Sequence, residues 1–349
     1  MSSAPPRPID IAYTLHTQGR LEEAEQKYQA IIAGDPLGQD GMDARNNLLG
    51  LYQSQHRWPE AQVLIRAALA ARPQDGDWNF RMAASLLAEG RYPEGWPLFE
   101  ARRATSRNRV AAPQLPFPEW QGQPVGSLLV WPEQGFGDVI QFSRYLPLLR
   151  AREIKVTLVV RPPLVRLLEP LADQVVALED GMRLPVSDAW RLIGSLPLLL
   201  GSTLETLPPP ALPPATAGGS GIGVTVRGRA THFNDANRSL PDDLAAALLA
   251  LPGAVSLDPT DTGAKDFQET AEIIGGLARV ISVDTAQAHL AASLGKPTAI
   301  LLPWLNPDWR WLRERSDSPW YPSATLYRQP APGDWKSVVD AVKRDLGNP

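Results

Sequence analysis

The sequence contains no cysteine among its 349 residues and only four histidines. Without cysteine there are no disulfide bonds, no thiolate metal ligands and no cysteine nucleophile. The four histidines are scattered along the chain and show no spacing typical of a metal site. A metal-dependent hydrolase is therefore disfavoured, and we expect no bound metal.

Long apolar runs and a strong charge excess are also missing. The apolar run 192–200 is interrupted by Pro197, whereas a membrane span needs about 20 apolar residues. The first residues lack the apolar centre of a signal peptide. The net charge of −4 gives no strong field toward nucleic acid or an anionic membrane. We expect a soluble, cytoplasmic protein that binds no nucleic acid.

A short motif recurs three times in the first hundred residues. It begins at Gly19, His56 and Gly90, and each time an arginine follows directly and a glutamate comes three residues after the arginine. The steps are 37 residues (19 to 56) and 34 residues (56 to 90). A helix-turn-helix period of about 34 residues is typical of tetratricopeptide (TPR) repeats. We predict TPR-like helices over residues 1–110, which either bind a protein partner in their groove or act as a rigid cap.

A strand-helix-strand pattern stands out near the C-terminus. Val280–Val283 predicts a buried strand, Asp284 and Thr285 open a helix of small residues, and residues 298–302 predict the next strand. This is the βαβ unit of a doubly wound sheet. The start of such a helix presents unpaired backbone N–H groups and partial positive charge, which suit a phosphate.

We predict that this helix mouth binds a phosphorylated ligand through Asp284, Thr285, Ala286, Gln287 and His289. The alternative is that Asp284 is only a helix cap and His289 only a packed side chain.

Residues 284–297 read Asp-Thr-x-x-x-His-Leu-Ala-x-x-Leu-Gly-Lys-Pro. This pattern resembles the donor-binding segment of heptosyltransferase-like GT-B glycosyltransferases, and the segments 266–271, 307–312 and 317–322 extend the likeness. Together with the repeats, the chain is similar to bacterial proteins that fuse TPR repeats to a heptosyltransferase-like unit. The resemblance implies an α/β fold with a GT-B type pair of Rossmann-like domains after an α-helical TPR-like solenoid.

Four regions follow from this organisation, with proline-rich boundaries near 111–124 and 208–214. We expect TPR-like repeats at 1–110 and an N-terminal, acceptor-side Rossmann-like domain at 111–210. A C-terminal, donor-side Rossmann-like domain should occupy 211–330. The last region, 331–349, should be a helix that crosses back onto the first Rossmann-like domain.

A glycine-rich turn, Gly135-Phe136-Gly137-Asp138, follows a predicted strand at 127–131 and precedes a predicted helix at 139–150. It is not a full G-x-G-x-x-G and has no acid about 20 residues on, which disfavours a nicotinamide enzyme. The resemblance implies that Asp138 is the catalytic base, which accepts a proton from the acceptor hydroxyl. The alternative is a plain helix cap, and a helix N-terminus would lower the pKa of Asp138.

The turn implies further cleft residues, which are Gly135, Gly137, Gln141 and Arg144.

The polar loop 227–238 contains Asn234-Asp235-x-Asn237-Arg238, which resembles another element of the family. The resemblance implies that Asn237 and Arg238 bind the donor, with Arg238 pairing with pyrophosphate oxygens. The sequence departs from the family at 225–233, where a basic residue is replaced by Phe233. Arg227 or Arg229 is a candidate for the missing cation.

Two further residues are placed in the cleft, His232 of this loop and Trp309 of the Trp- and Arg-rich segment 303–321. That segment is either a stacking lid over the ligand or a packed hinge.

These observations predict a metal-independent, inverting glycosyltransferase that moves a sugar from a nucleotide-sugar to a hydroxyl acceptor. The nucleotide-sugar is a co-substrate and no other cofactor is expected. The repeats suggest a protein acceptor or partner. The alternative, favoured by the departures at 225–233, is a catalytically inactive scaffold that binds protein partners.

Overall fold

The structure is a computed structural model that describes residues 6–106, 110–133, 135–216 and 218–347. The chain forms two compact units, one from residues 1–86 with 98–109 and one from residues 87–97 with 110–349. The predicted boundaries at 110, 210 and 330 stay predictions. Within the described ranges, no helix is long and apolar enough to cross a membrane.

Helices fill the first part of the chain. They are α1 (Pro8–Thr17), α2 (Leu21–Gly34), α3 (Gln39–Ser54), α4 (Trp58–Ala71), α5 (Gly76–Ala88) and α6 (Tyr92–Phe99). The core of the first unit is built by side chains that recur at helical spacing, among them Tyr28, Leu48 and Trp78. Each helix exposes its polar face and buries its apolar face against its neighbours.

The sequence motif that recurs three times has the same backbone geometry each time. It opens each time with a left-handed residue, and these are Gly19, His56 and Gly90 with φ of 76°, 56° and 77°. An ion pair between residues three apart follows each time, in Arg20–Glu23, Arg57–Glu60 and Arg91–Glu94. The left-handed residue ends one helix and the pair stabilises the first turn of the next.

Residues 87–97 belong to the second unit. There the Trp320 indole N–H donates to the Tyr92 hydroxyl at 2.8 Å, and the Trp96 indole N–H donates to the Ser202 carbonyl at 3.0 Å. All three aromatic rings are buried. Most of α6 is therefore part of the core of the second unit.

The first sheet has four parallel strands in the order β3-β2-β1-β4. They are β1 (Ser127–Trp131), β2 (Lys155–Val160), β3 (Gln174–Ala177) and β4 (Ala189–Leu192).

The prediction of one continuous helix at 139–150 is wrong. The structure has α7 (Phe136–Phe142), a 3₁₀ turn and α8 (Leu146–Arg150). Pro147 explains the break, because it has no N–H to donate to the preceding turn of a continuous helix. The break lets α7 remain a short helix, whose first turn carries Asp138.

The second sheet has five parallel strands in the order β6-β5-β7-β8-β9. They are β5 (Ile222–Thr225), β6 (Ala254–Ser256), β7 (Arg279–Val283), β8 (Thr298–Leu302) and β9 (Ala324–Arg328). The strand order reverses between β5 and β7. In doubly wound sheets, ligands bind beside the carboxyl ends of the strands at such a switch point.

The remaining helices follow or connect the strands. They are α9 (Val165–Leu168), α10 (Leu196–Leu199), α11 (Asp235–Arg238), α12 (Asp242–Leu249), α13 (Pro259–Thr262), α14 (Phe267–Gly275), α15 (Ala286–Ser293) and α16 (Trp335–Gly347). The short α11 lies inside the segment predicted as a loop. The predicted fold class, mixed α/β with two parallel sheets after a helical region, is confirmed.

The predicted course of the last helix is wrong. Instead of crossing back onto the first sheet, α16 buries Trp335, Val338 and Val342 in the core of the second sheet. Its partners there include Val224 of β5 and Leu301 of β8. This apolar face of the second sheet needs a cover, and α16 supplies it directly after β9. Residues 348–349 of the predicted region lie outside the described residues.

Candidate functional site

The helix mouth predicted at residues 284–287 lies at the switch point of the second sheet, where β7 ends. Thr285 is the N-cap of α15, yet its side chain caps no backbone N–H. The Thr285 hydroxyl lies instead 3.0 Å from the hydroxyl of Ser282. Asp284 to Gln287 are half-buried. The first-turn amides of α15 therefore lack a side-chain cap, as an anion-binding helix start requires.

Arg238 lies at this mouth. Its Nη1 donates to the backbone carbonyl of Asp284 at 2.8 Å, and its Nε donates to Asp235 Oδ1 at 3.1 Å. The side chain is 12% exposed. The structure thus brings Arg238 and Asp284 together, while pyrophosphate binding by Arg238 stays a prediction.

Asn237 and His232 lie on the same loop but turn to other partners. Asn237 Nδ2 donates to Asn234 Oδ1 at 2.7 Å, and Asn237 lines a cavity of about 350 Å³ with Ser239, Gln329 and Trp335 among others. His232 is exposed, and its Nδ1 accepts from the Asn234 backbone N–H at 3.2 Å.

Neither candidate for the missing cation is buried in the site. Arg227 pairs with Asp242 at the surface and is 58% exposed, and Arg229 is exposed as well. The arginine that joins the buried charged groups is Arg310, described below.

Asp138 lies in the first turn of α7, and both of its carboxylate oxygens have partners. Oδ2 accepts the Gly135 backbone N–H at 3.2 Å, and Oδ1 accepts a guanidinium N–H of Arg310. Burial raises the pKa of Asp138, nearby Glu133 and Asp308 raise it further, and Arg310 opposes them. The net shift is therefore opposite to the lowering expected at a helix N-terminus, because desolvation outweighs it. A raised pKa makes Asp138 a better proton acceptor.

Gly137 allows α7 to approach α15 closely. A Cβ atom on Gly137 would lie only 2.7 Å from Cδ2 of His289. A Cβ atom on Gly135 would lie 2.5 Å from Oδ2 of Asp138. A side chain at Gly135 would displace the Asp138 carboxylate, whereas the absence of one at Gly137 lets the first turn of α7 lie beside the first turn of α15.

His289 is buried beside the mouth and makes three specific contacts. Its Nδ1 lies 2.8 Å from the Tyr321 hydroxyl, and its ring stacks on Trp311 with centroids 5.2 Å apart. Its Nε2 lies 4.0 Å from Asp284 Oδ1. Burial, Arg310 and Arg144 hold the pKa of His289 well below its usual value. The imidazole is therefore neutral near pH 7 and offers a hydrogen bond rather than a charge.

The Asp284 side chain is 17% exposed and lies near several charged groups. Burial raises the pKa of Asp284 to about 6, and the neighbouring Asp308 adds to the rise. Arg310 and Arg238 act in the opposite direction. A carboxylate of this kind, set in a helix mouth, suits the hydroxyl groups of a sugar.

Arg310 and Asp308 were missed from the sequence. Arg310 Nη1 donates to Asp308 Oδ2 at 2.8 Å, while its other nitrogens bind Asp138 and Gln141. Both residues lie in segment 307–312, which carries part of the family resemblance, but that resemblance and the Trp- and Arg-rich composition of 303–321 indicate only Trp309 as a cleft residue.

Three of the predicted cleft residues are buried behind the site. Gln141 is fully buried and accepts from Arg310. Arg144 donates to three backbone carbonyls, those of Gln141, Pro208 and Trp320. Trp309 is 8% exposed and lies with its ring centroid 5.5 Å from that of Trp96. This part of 303–321 is therefore packed interior and not an open lid.

In the described part of the chain, no three His, Asp or Glu side chains are grouped so that they could hold a metal ion.

No family model matches the chain. Protein FlbA of Caulobacter vibrioides is 37% identical over 71 residues, which are 20% of this chain and 12% of that protein. The chain therefore spans about one eighth of the length of this curated relative.

Solved structures show a distant likeness. E. coli heptosyltransferase WaaC with ADP has a TM-score of 0.43 at 12% identity and covers 63% of this chain and 99% of its own. A family 9 glycosyltransferase from Veillonella parvula has a TM-score of 0.43 at 13% identity, over 63% and 89%. An O-GlcNAc transferase of Thermobaculum terrenum has a TM-score of 0.26 at 15% identity, over 97% and 89%. At these values the likenesses assign neither a substrate nor a residue's role to this chain.

Proposed function

We propose that this chain is a glycosyltransferase that moves a sugar from a nucleotide-sugar donor to a hydroxyl group of an acceptor. The observation that carries the proposal is the side-by-side position of α7 and α15, which meet at Gly137 and His289. A carboxylate with a raised pKa, Asp138, thereby adjoins a helix start without a side-chain cap. Glycosyl transfer needs a base and an anion site in this proximity.

In the proposed reaction, Asp138 accepts the proton of the acceptor hydroxyl while the hydroxyl oxygen attacks the anomeric carbon. The bond from that carbon to the diphosphate breaks, and its electron pair leaves with the nucleoside diphosphate. The first-turn amides of α15 and the guanidinium of Arg238 stabilise the negative charge that develops there. A direct displacement inverts the anomeric carbon and, with these groups, requires no metal ion.

The remaining roles follow from position. Asp284 accepts hydrogen bonds from hydroxyls of the donor sugar, and the neutral His289 supports that carboxylate from behind. The helical repeats suit a protein acceptor or partner. A hydroxyl on such a protein is a substrate of the required chemistry, and the cytoplasm supplies the nucleotide-sugar.

The proposal is tested by the rise in melting temperature of the protein with ADP, UDP, GDP and their common sugar conjugates. A ligand at about 100 times its Kd adds about 2.7 kcal/mol to the stability of the state that binds it. We expect selective stabilisation of the wild type by the sugar conjugates of one nucleotide, and a smaller stabilisation by the same conjugates in Asp284→Ala.

Asp340→Ala is the matched control, because Asp340 is an exposed aspartate on α16 that pairs with Lys336. It should respond as the wild type does. The proposal fails if no conjugate stabilises the wild type more than it stabilises Asp284→Ala.

A further inference from the structure

The guanidinium of Arg310 is held in its plane by three oxygen atoms. Nη2 donates to Asp138 Oδ1, Nε donates to Gln141 Oε1, and Nη1 donates to Asp308 Oδ2 at 2.8 Å. Asp138 and Gln141 are three residues apart and share one face of α7. Arg310, from the connection between β8 and β9, therefore binds two side chains of α7.

The guanidinium also lies over two aromatic rings. Its Cζ lies 4.8 Å from the ring centroid of Trp309 and 5.6 Å from that of Phe142. The Arg310 side chain is 9% exposed, whereas the Asp138 side chain is 31% exposed. Each of the three nitrogens of Arg310 already has an oxygen partner, and the guanidinium makes cation–π contacts with two rings. Of the two, only Asp138 presents a substantial surface to a ligand.

We propose that Arg310 is the positioning residue of Asp138, which fixes the carboxylate beside the start of α15 and does not itself bind the donor phosphate. What Asp138 does once positioned rests on the function proposed above. The contact between the two side chains does not depend on that function.

The shape of the arginine side chain explains why this residue type is required. Its planar fork directs hydrogen bonds to separate acceptors at fixed angles, whereas lysine offers a single flexible ammonium group. A catalytic carboxylate must be held within about 0.5 Å of its productive position. Arg310→Lys keeps the positive charge but cannot hold Asp138, Gln141 and Asp308 together.

The charges around Asp138 give a direct readout of the contact. Among its charged neighbours, Arg310 lowers the pKa of Asp138, whereas Glu133 and Asp308 raise it. Arg310→Gln removes the only cation among these groups and leaves two carboxylates. The pKa of Asp138 should then rise further, because like charges disfavour its ionised form.

The experiment follows the Asp138 carboxyl carbon by NMR in protein with ¹³C-labelled aspartate, using Asp138→Asn to assign the signal. Wild type, Arg310→Gln and Arg310→Lys are titrated beside the control Arg315→Gln. Arg315 pairs with Asp317 at the surface, five residues further along the same segment. We expect a higher Asp138 pKa in Arg310→Gln, a smaller rise in Arg310→Lys and no change in the control.

A second arm separates positioning from phosphate binding. The affinities for ADP, UDP and GDP should change by less than about threefold in both Arg310 variants, while the transfer rate falls by about tenfold or more. Arg310→Lys should recover part of that rate.

An unchanged Asp138 titration in Arg310→Gln overturns the proposal. A loss of nucleotide affinity of about tenfold in both variants also overturns it, because that result marks a phosphate ligand. If no nucleotide binds the wild type, the proposed function fails, and the titration still decides the role of Arg310. Should Arg310→Gln not fold, Arg310→Lys carries the same titration.

Discussion

Arg310 and Asp138 stand 172 residues apart in the chain, and a guanidinium nitrogen of Arg310 donates to a carboxylate oxygen of Asp138. Asp138 lies on α7, the first helix after β1, and Arg310 lies in the connection that leads from β8 to β9. The pair therefore joins the carboxyl edges of the two parallel sheets. Ligands of doubly wound folds bind at such edges, so the residue pair marks a candidate ligand site.

Asp138→Asn should abolish most of the transfer activity without loss of nucleotide binding. The amide keeps the shape of the side chain but cannot accept the proton, and a general base contributes about 10²- to 10⁴-fold. The measurement is the transfer rate with whichever nucleotide-sugar stabilises the wild type. Asp340→Asn, on the exposed face of α16, serves as control. A variant that transfers sugar at the wild-type rate would exclude Asp138 as the base.

Asp284→Asn should stabilise the protein at pH 8 and have little effect near pH 4. In the folded protein the pKa of Asp284 is about 6, against an ordinary value of 3.8. Between these values the folded state keeps a proton that the unfolded state has lost, so stability falls as pH rises through that window. Above pH 6 the free energy of unfolding is therefore lower, by on the order of 3 kcal/mol, than it would be if the pKa of Asp284 were unshifted.

The asparagine variant lacks this titration. Urea unfolding midpoints of wild type and Asp284→Asn should therefore be close together near pH 4 and separate progressively toward pH 8. A difference in midpoint that stays constant over this range would contradict the raised pKa of Asp284.

Gly137→Ala should destabilise the protein and impair nucleotide binding. The added Cβ would come within 2.7 Å of the buried ring of His289, so α7 must move away from α15. Overpacking of this kind costs about 1–3 kcal/mol.

Gly275→Ala is the matched control, because Gly275 ends α14 in the same unit and a Cβ there meets nothing within 4 Å. It should be neutral or stabilise by up to about 1 kcal/mol. Thermal unfolding of both variants tests the contact, and equal behaviour would show that α7 and α15 are not tightly packed.

Arg144→Ala should cost about 3 kcal/mol of stability or more, because buried carbonyls lose their donor. These carbonyls belong to Gln141, Pro208 and Trp320. Arg150→Ala, at an exposed position at the end of α8, should change stability by less than about 0.5 kcal/mol. Urea unfolding followed by tryptophan fluorescence compares the two variants. Similar midpoints would contradict a structural role for Arg144.

Local sequence patterns predicted the strands and the helix mouth well. Strand β8 begins and ends at the predicted residues, and β7 begins one residue before its predicted start. Buried parallel strands appear in a sequence as short apolar runs. The run of small residues after Asp284 and Thr285 is typical of a closely packed helix. These features depend on neighbours in the sequence, which is why they could be found.

Long-range partners could not be predicted in this way. The apolar stripe of α16 shows which of its faces is buried, but both sheets have apolar surfaces. Likewise, the segment 303–321 shows that Arg310 is surrounded by tryptophan, but not that its guanidinium reaches Asp138. Both contacts join residues that are far apart in the sequence, so only the folded structure shows them.

Residues 87–97 fold with the sheets, whereas residues 98–106 belong to the helical unit. A recombinant fragment that starts at residue 110 would thus contain both sheets but lack the phenol that accepts the indole N–H of Trp320. It would also expose the face of Trp320 that Trp96 covers. We therefore expect a fragment that contains both sheets to fold better when it starts upstream of Leu87.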